Sequence, residues 1–226
     1  MASAAIGPVA TAVVVGALCV VAAAELFASQ RARGPRPIPF AGFLGVIGLI
    51  AIAAVRGDRA VVVFPIAIAG AFALASTTLL IRGKIEGAAM SIATTVFDVV
   101  AVGSFGAYIV VLRRLAHGTG LVIGLVIIAA AGDVASTAVA AVRPMGWQRR
   151  AAGVAASMIA AVIVGSTMSA FTPRRAVILG VIVAILVPAG ELAVGILEGE
   201  RRVLDRTAGL LLAAPAFFFV YRALVR

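Results

Sequence analysis

The stretch Gly190-Glu-Leu-Ala-Val-Gly-Ile-Leu-Glu-Gly-Glu-Arg-Arg-Val-Leu-Asp205-Arg206-Thr-Ala-Gly-Leu-Leu-Leu-Ala-Ala-Pro215-Ala-Phe-Phe-Phe219 sets acids and arginines directly against apolar runs. Charge is costly beside hydrocarbon, so groups placed this way mark a membrane–water boundary or a polar site inside a membrane bundle. Outward from it the same alternation recurs, apolar runs of bilayer-crossing length divided by short charged breaks. The chain has 226 residues, 63% of them hydrophobic and 12% charged, with a mean hydropathy of +1.19. One soluble core of this size cannot bury so much apolar surface, so the solvent is lipid. No basic segment precedes the apolar run at Ala10 to Ala24, which reads as a first spanning helix and not as a cleaved signal peptide.

Helical spans are expected near 5–28, 40–55, 60–81, 87–112, 119–142, 151–172, 176–197 and 207–223. The fold class is therefore all-α, a polytopic transmembrane bundle of about eight spans. It forms one integral membrane domain over 1–226, with N-terminal helices in 1–118 and a distinct half in 119–226. The loops after the odd-numbered helices hold 11 of the 19 basic residues. By the positive-inside rule those loops face the cytoplasm and both termini face out. Gly42, Gly45 and Gly48, and the pair Gly120 and Gly124, form small-residue stripes that let helices approach closely within the molecule.

The net charge of +10 does not indicate nucleic acid, because the arginines fall in short clusters between apolar runs and no basic stripe is interleaved with aromatics. Lys84 is the only lysine, which removes most candidates for a catalytic ammonium. Cys19 is the only cysteine, so there is neither an intrachain disulfide nor a thiolate metal centre.

Asp98, Asp133 and Glu191 fall inside expected spans and Asp205 opens the last one, all toward the cytoplasmic side of the expected topology, where they can share one cavity. An ionised carboxylate in hydrocarbon costs at least ~2.5 kcal/mol, so each requires a wet interior, a cation or a basic partner. Two readings stay open for them, a functional site or arginine-paired glue between helices. Pro188 and Gly190 stand beside Glu191 and point to a kinked or partly unwound helix there. Arg149, Arg150, Arg201, Arg202 and Arg206 gather at the same mouth. Arg206, next to an acid at a helix entrance, is read as a phosphate ligand and the others as headgroup anchors. His117 reads as an ordinary loop histidine.

From about Leu121 to the C-terminus these residues resemble the phosphatidate cytidylyltransferase (CDP-diacylglycerol synthase) family. Leu204-Asp205-Arg206 and Ala213-Ala214-Pro215 match the start of its "LDR-x-D" and its "AAP" helix. Gly132-Asp133 is similar to its aspartate before "GAY", Gly190-Glu191 stands where it has Gly-Asp, and Gln148 to Gly153 occupies the place of a loop resembling "KKTWEG". Departures are as definite. Ala208 replaces the final aspartate of "DR-x-D", and Glu198 to Arg202 is too short to hold the family's lysine-aspartate segment and Gly-His-Gly-Gly turn.

The resemblance implies a cytidylyltransferase-like fold. It also implies a cytoplasm-facing polar cavity in which CTP and phosphatidic acid give CDP-diacylglycerol and pyrophosphate, with two divalent cations held by aspartates. With the ligand set halved, the expectation for this chain is one weak Mg²⁺ site on Asp133, Glu191 and Asp205, with Arg206 on phosphate. The function expected is that of a cytidylyltransferase-like protein of phospholipid biosynthesis with reduced or no nucleotidyltransferase activity. The alternatives are a non-catalytic membrane partner or lipid-binding scaffold and, last, an ion-coupled transporter using Asp98, Asp133 and Glu191. Expected partners are membrane lipids, phosphatidic acid or another phospholipid, and a homodimer mate or membrane protein. The expected location is a bacterial plasma membrane.

Overall fold

Hydrocarbon offers no hydrogen-bond partner to a backbone, so apolar runs satisfy their own amides by coiling into helices. Every described element of the computed structural model is helical. The structure describes residues 7–32, 34, 36–83, 86–142, 146–168, 171–195 and 202–225, with the side chains of 140, 142, 146, 191–195 and 202–206 outside the description. The helices are α1 (Pro8–Ala32), α2 (Pro39–Arg56), α3 (Ala60–Ile81), α4 (Ala88–Asp98), α5 (Phe105–Arg113), α6 (Gly118–Val142), α7 (Gly146–Thr167), α8 (Pro173–Gly195) and α9 (Arg202–Val225). A π-helical segment, Val99–Ser104, joins α4 to α5 in one continuous run.

Among the described residues, seven helical runs are long and apolar enough to cross a membrane, where eight spans were expected. The difference lies at Pro39–Ile81, a single 43-residue helical stretch. A 3₁₀ turn at Gly57–Arg59 folds it back on itself. Gly57 has φ 59°, a conformation that favours glycine, and its N–H closes the end of α2 on the Ala53 carbonyl. A Cβ at Gly45 would meet Ala71, and Ala41 clusters with Ala75, so the two limbs run antiparallel.

Several boundaries differ from expectation. Helix α1 continues to Ala32, four residues past its expected end. Helix α7 starts at Gly146, so Gln148, Arg149 and Arg150 form helical turns where a loop was expected. It ends at Thr167, and Pro173 opens α8, the first helical position being one where a missing N–H costs nothing. The unwinding expected around Pro188 is absent, since α8 runs through it to Gly195.

The chain forms two compact units, Met1–Leu115 with Leu197–Leu204, and Ala116–Ile196 with Asp205–Arg226. In the first unit the run Ala88–Arg113 is central. Of its most apolar 18-residue window 72% is buried inside the protein, against 22% for Pro39–Ile81. Glycines allow this enclosure. A Cβ at Gly45 would stand 2.8 Å from Val99, and one at Gly103 would stand 3.0 Å from the Val46 backbone. Phe27 lies over Gly42 and meets Phe43 edge to face at 5.2 Å. Arg114 donates through Nη1 to the Ala54 carbonyl, beside the Gly57 turn.

In the second unit α7 lies between α6 and α8. The contacts are again made at small residues: Gly132 on Gly153, Gly165 on Ala176, Gly180 on Ala161, and Gly190 on Ala208 and Gly209. Phe171 meets the buried Phe217 edge to face at 6.3 Å. Large apolar side chains face outward in both units, among them Val62, Ile66, Ile159 and Ile185, as lipid contact requires.

The glycine contacts predict unequal costs for one methyl group. A Cβ at Gly180 would lie 2.2 Å from the Ala161 Cβ, whereas one at Gly48 would meet nothing within 4 Å. Gly180→Ala should destabilise the protein by about 1–3 kcal/mol through overpacking. Gly48→Ala should leave the unfolding midpoint in detergent unchanged or slightly raised. Equal midpoints for the two variants would contradict this packing.

Candidate functional site

Among the described residues, polar side chains gather at two places, one in each unit. In the first unit Ser91, Thr95 and Asp98 form a buried stripe on α4 at helical spacing. The Thr95 hydroxyl donates to the Ser91 carbonyl at 2.7 Å and accepts the Ile38 N–H at 2.9 Å, which ties down the start of α2. Asp98 is fully buried and accepts a hydrogen bond from Gln30 Nε2 at 2.7 Å. Asp98 Oδ2 and Gln30 Oε1 have no hydrogen-bond partner. Immediately after Asp98 the chain enters the π segment, where the Ser104 hydroxyl donates to the Val100 carbonyl. Such segments in membrane helices are frequently associated with sites.

Sequence reasoning missed Gln30, placing it in the loop after the first span. The signal was present. Cys19, Ala22, Ala23, Leu26 and Phe27 form the buried face of α1, and Gln30 continues it at the same spacing.

In the second unit Gly132, Ser136, Arg149, Arg150, Gly153, Ser157, Val187 and Pro188 enclose a cavity of about 10 Å³, the space of a single water. Its walls are close-set because the Gly132 and Gly153 backbones approach each other and the Ser157 hydroxyl crosses from α7 to donate to the Ile128 carbonyl of α6 at 3.0 Å. Asp133, half-buried beside Gly132, is an expected site residue that the structure describes. Its carbonyl accepts from the Ser136 hydroxyl at 2.9 Å. Glu191 lies in α8, and Asp205 and Arg206 lie in α9, but their side chains fall outside the described residues, as do Arg201 and the arginine tips of 202. What the described backbone does bring together is α8 and α9, through Gly190 against Ala208 and Gly209.

Among the described residues no group of three or more acidic, histidine or cysteine side chains gathers as a metal site would require. A divalent cation needs about six oxygens, and of the expected donor set only the Asp133 side chain is described. Asp98, expected to share a cavity with these acids, has its described hydrogen-bond partner, Gln30, inside the first unit. His117 sits in the turn before α6 with φ 59°, and its backbone carbonyl accepts the Leu121 N–H of that helix.

The Asp98–Gln30 pair predicts an asymmetry between single and double changes. Gln30→Leu strands the buried carboxyl and should cost about 1–3 kcal/mol. Gln30→Leu combined with Asp98→Leu should recover most of that loss, because removing both partners leaves no orphan. The check is the unfolding midpoint of the four proteins of the cycle in one detergent, and strict additivity would contradict the pairing.

Compared with models of known protein families and with curated proteins, the chain gives no match.

Proposed function

We propose that this protein is a cytidylyltransferase-like integral membrane protein of phospholipid metabolism in which CTP:phosphatidate cytidylyl transfer is reduced or lost, leaving it as a lipid-binding partner within the membrane. The observation that carries the reading is the make-up of the small cavity. Gly132 and the Arg149 to Gly153 turn belong to two separate segments that carry the family resemblance, Pro188 stands two residues before a third, and they line one space. Their meeting supports a common ancestry of architecture.

Ala208 supports loss of the reaction. At the position of the family's last aspartate, this alanine is buried where α9 meets Gly190 of α8. Cytidylyl transfer consists chiefly of neutralising and aligning phosphate oxygens, so removing acids that hold metal removes the main source of rate. In this reading Asp133, Glu191 and Asp205 retain one weak divalent cation, Arg206 faces phosphate, and the site opens to the cytoplasm.

The test is a direct assay. Purified protein in phospholipid vesicles, given Mg²⁺, CTP and phosphatidic acid, should form little or no CDP-diacylglycerol. Robust turnover that is abolished by Asp205→Asn would overturn the loss of activity and establish an enzyme working with a reduced ligand set. Mg²⁺ or Mn²⁺ should raise the unfolding midpoint of the protein but not that of Glu191→Gln. No shift at millimolar cation would remove metal from the proposal.

A further inference from the structure

We propose that Asp98 and Gln30 form a binding site for one monovalent cation, a proton or an alkali ion, held between Asp98 Oδ2 and Gln30 Oε1 inside the first unit. The two oxygens are buried acceptors without a donor, on helices from opposite ends of that unit's sequence. They belong to planar groups already in contact, because Gln30 Nε2 reaches Asp98 Oδ1 at 2.7 Å. A single positive charge lying between them would satisfy both at once. A proton on the carboxyl would donate to the amide oxygen and close a two-bond acid–amide pair, and an alkali ion would take the same two oxygens as two of its several ligands.

Among the described residues of the helices in this unit, none is a rival for that role. Asp98 is the only titratable residue of α4 and the π segment, α3 has none, and α2 has only Arg56 at its last position. Helix α1 carries Cys19, Glu25 and Arg31, and α5 carries Tyr108, edge to face with Phe64, and Arg113 at its end. None of these makes a described hydrogen bond or ion pair with Asp98. The neighbouring Thr95 hydroxyl is already engaged as both donor and acceptor, so the unmet capacity is confined to the pair. A carboxylate left bare at this depth would carry the full penalty of charge in hydrocarbon, and a bound positive charge removes it. The site belongs to residues outside the stretch that resembles the cytidylyltransferases and does not depend on that reading.

The experiment measures the unfolding midpoint of the full chain in detergent in two series. One exchanges choline for Na⁺ at fixed pH, and the other lowers the pH in choline alone. A rise of several degrees across about a hundredfold range of Na⁺ identifies an alkali ion, and a rise on acidification alone identifies a proton, since a ligand that binds only the folded state stabilises it. Asp98→Asn should abolish the dependence and remain folded, because its amide supplies the donor that Gln30 Oε1 lacks. Should that variant not fold, Gln30→Met keeps the acid and removes the amide oxygen, and should raise the half-saturating cation concentration about tenfold or more. Absence of a rise in both series, a rise undiminished in Asp98→Asn, or an unchanged half-saturation in Gln30→Met would each overturn the proposal.

Discussion

A polar group at bilayer depth must find its partner inside the protein, and that constraint orders both units of this chain. In the first unit it draws the acid-bearing run Ala88–Arg113 to the centre, where other helices shield Asp98 from lipid. It also brings the end of α1 inward, because Gln30 supplies the donor, and anchors α2, because the Ile38 amide ends on Thr95. In the second unit the same demand appears as serines that return their hydroxyls to helix carbonyls across or along α6 and α7.

Close approach is the means by which these partners meet. Without a hydrophobic drive between helices in lipid, association rests on contact and on interhelical hydrogen bonds, and both lengthen with every side chain interposed. Glycine therefore stands where helices must touch: at Gly103 against α2, at Gly132 against Gly153, and at Gly190 against α9. Gly48, of the stripe read from the sequence, faces open space. Membrane glycines are thus divided by their surroundings, which spacing along one helix does not reveal.

The helices were legible because lipid imposes length and composition on them, and the expected α3 and α6 nearly coincide with those observed. Arginines misled at two boundaries. Arg31 ended the first expected span and Arg149–Arg150 delayed the sixth, yet long cationic side chains let their heads leave a helix that continues beneath them. The π segment had no signal, since Val-Val-Ala-Val-Gly-Ser is an ordinary apolar run. Of the expected Asp133, Glu191, Asp205 and Arg206, only the Asp133 side chain is described, half-buried beside Gly132 of the small cavity. Asp98 was legible as an acid in an apolar run. Its partner was not, because glutamine beside Arg31 reads as the edge of water.

The π segment also bears on how this chain tolerates changes in length. A π turn takes up one residue more than an α turn, so Val99–Ser104 decouples the face that presents Ser91, Thr95 and Asp98 from the face that α5 presents to its neighbours. Descendants that shed one residue between 99 and 104 would regain an unbroken α-helix in which the two faces keep nearly their present relation, because the wide turn had taken up that residue. A deletion at this point is therefore absorbed, where the same deletion elsewhere in Ala88–Arg113 would turn the acid by about 100° away from its partner.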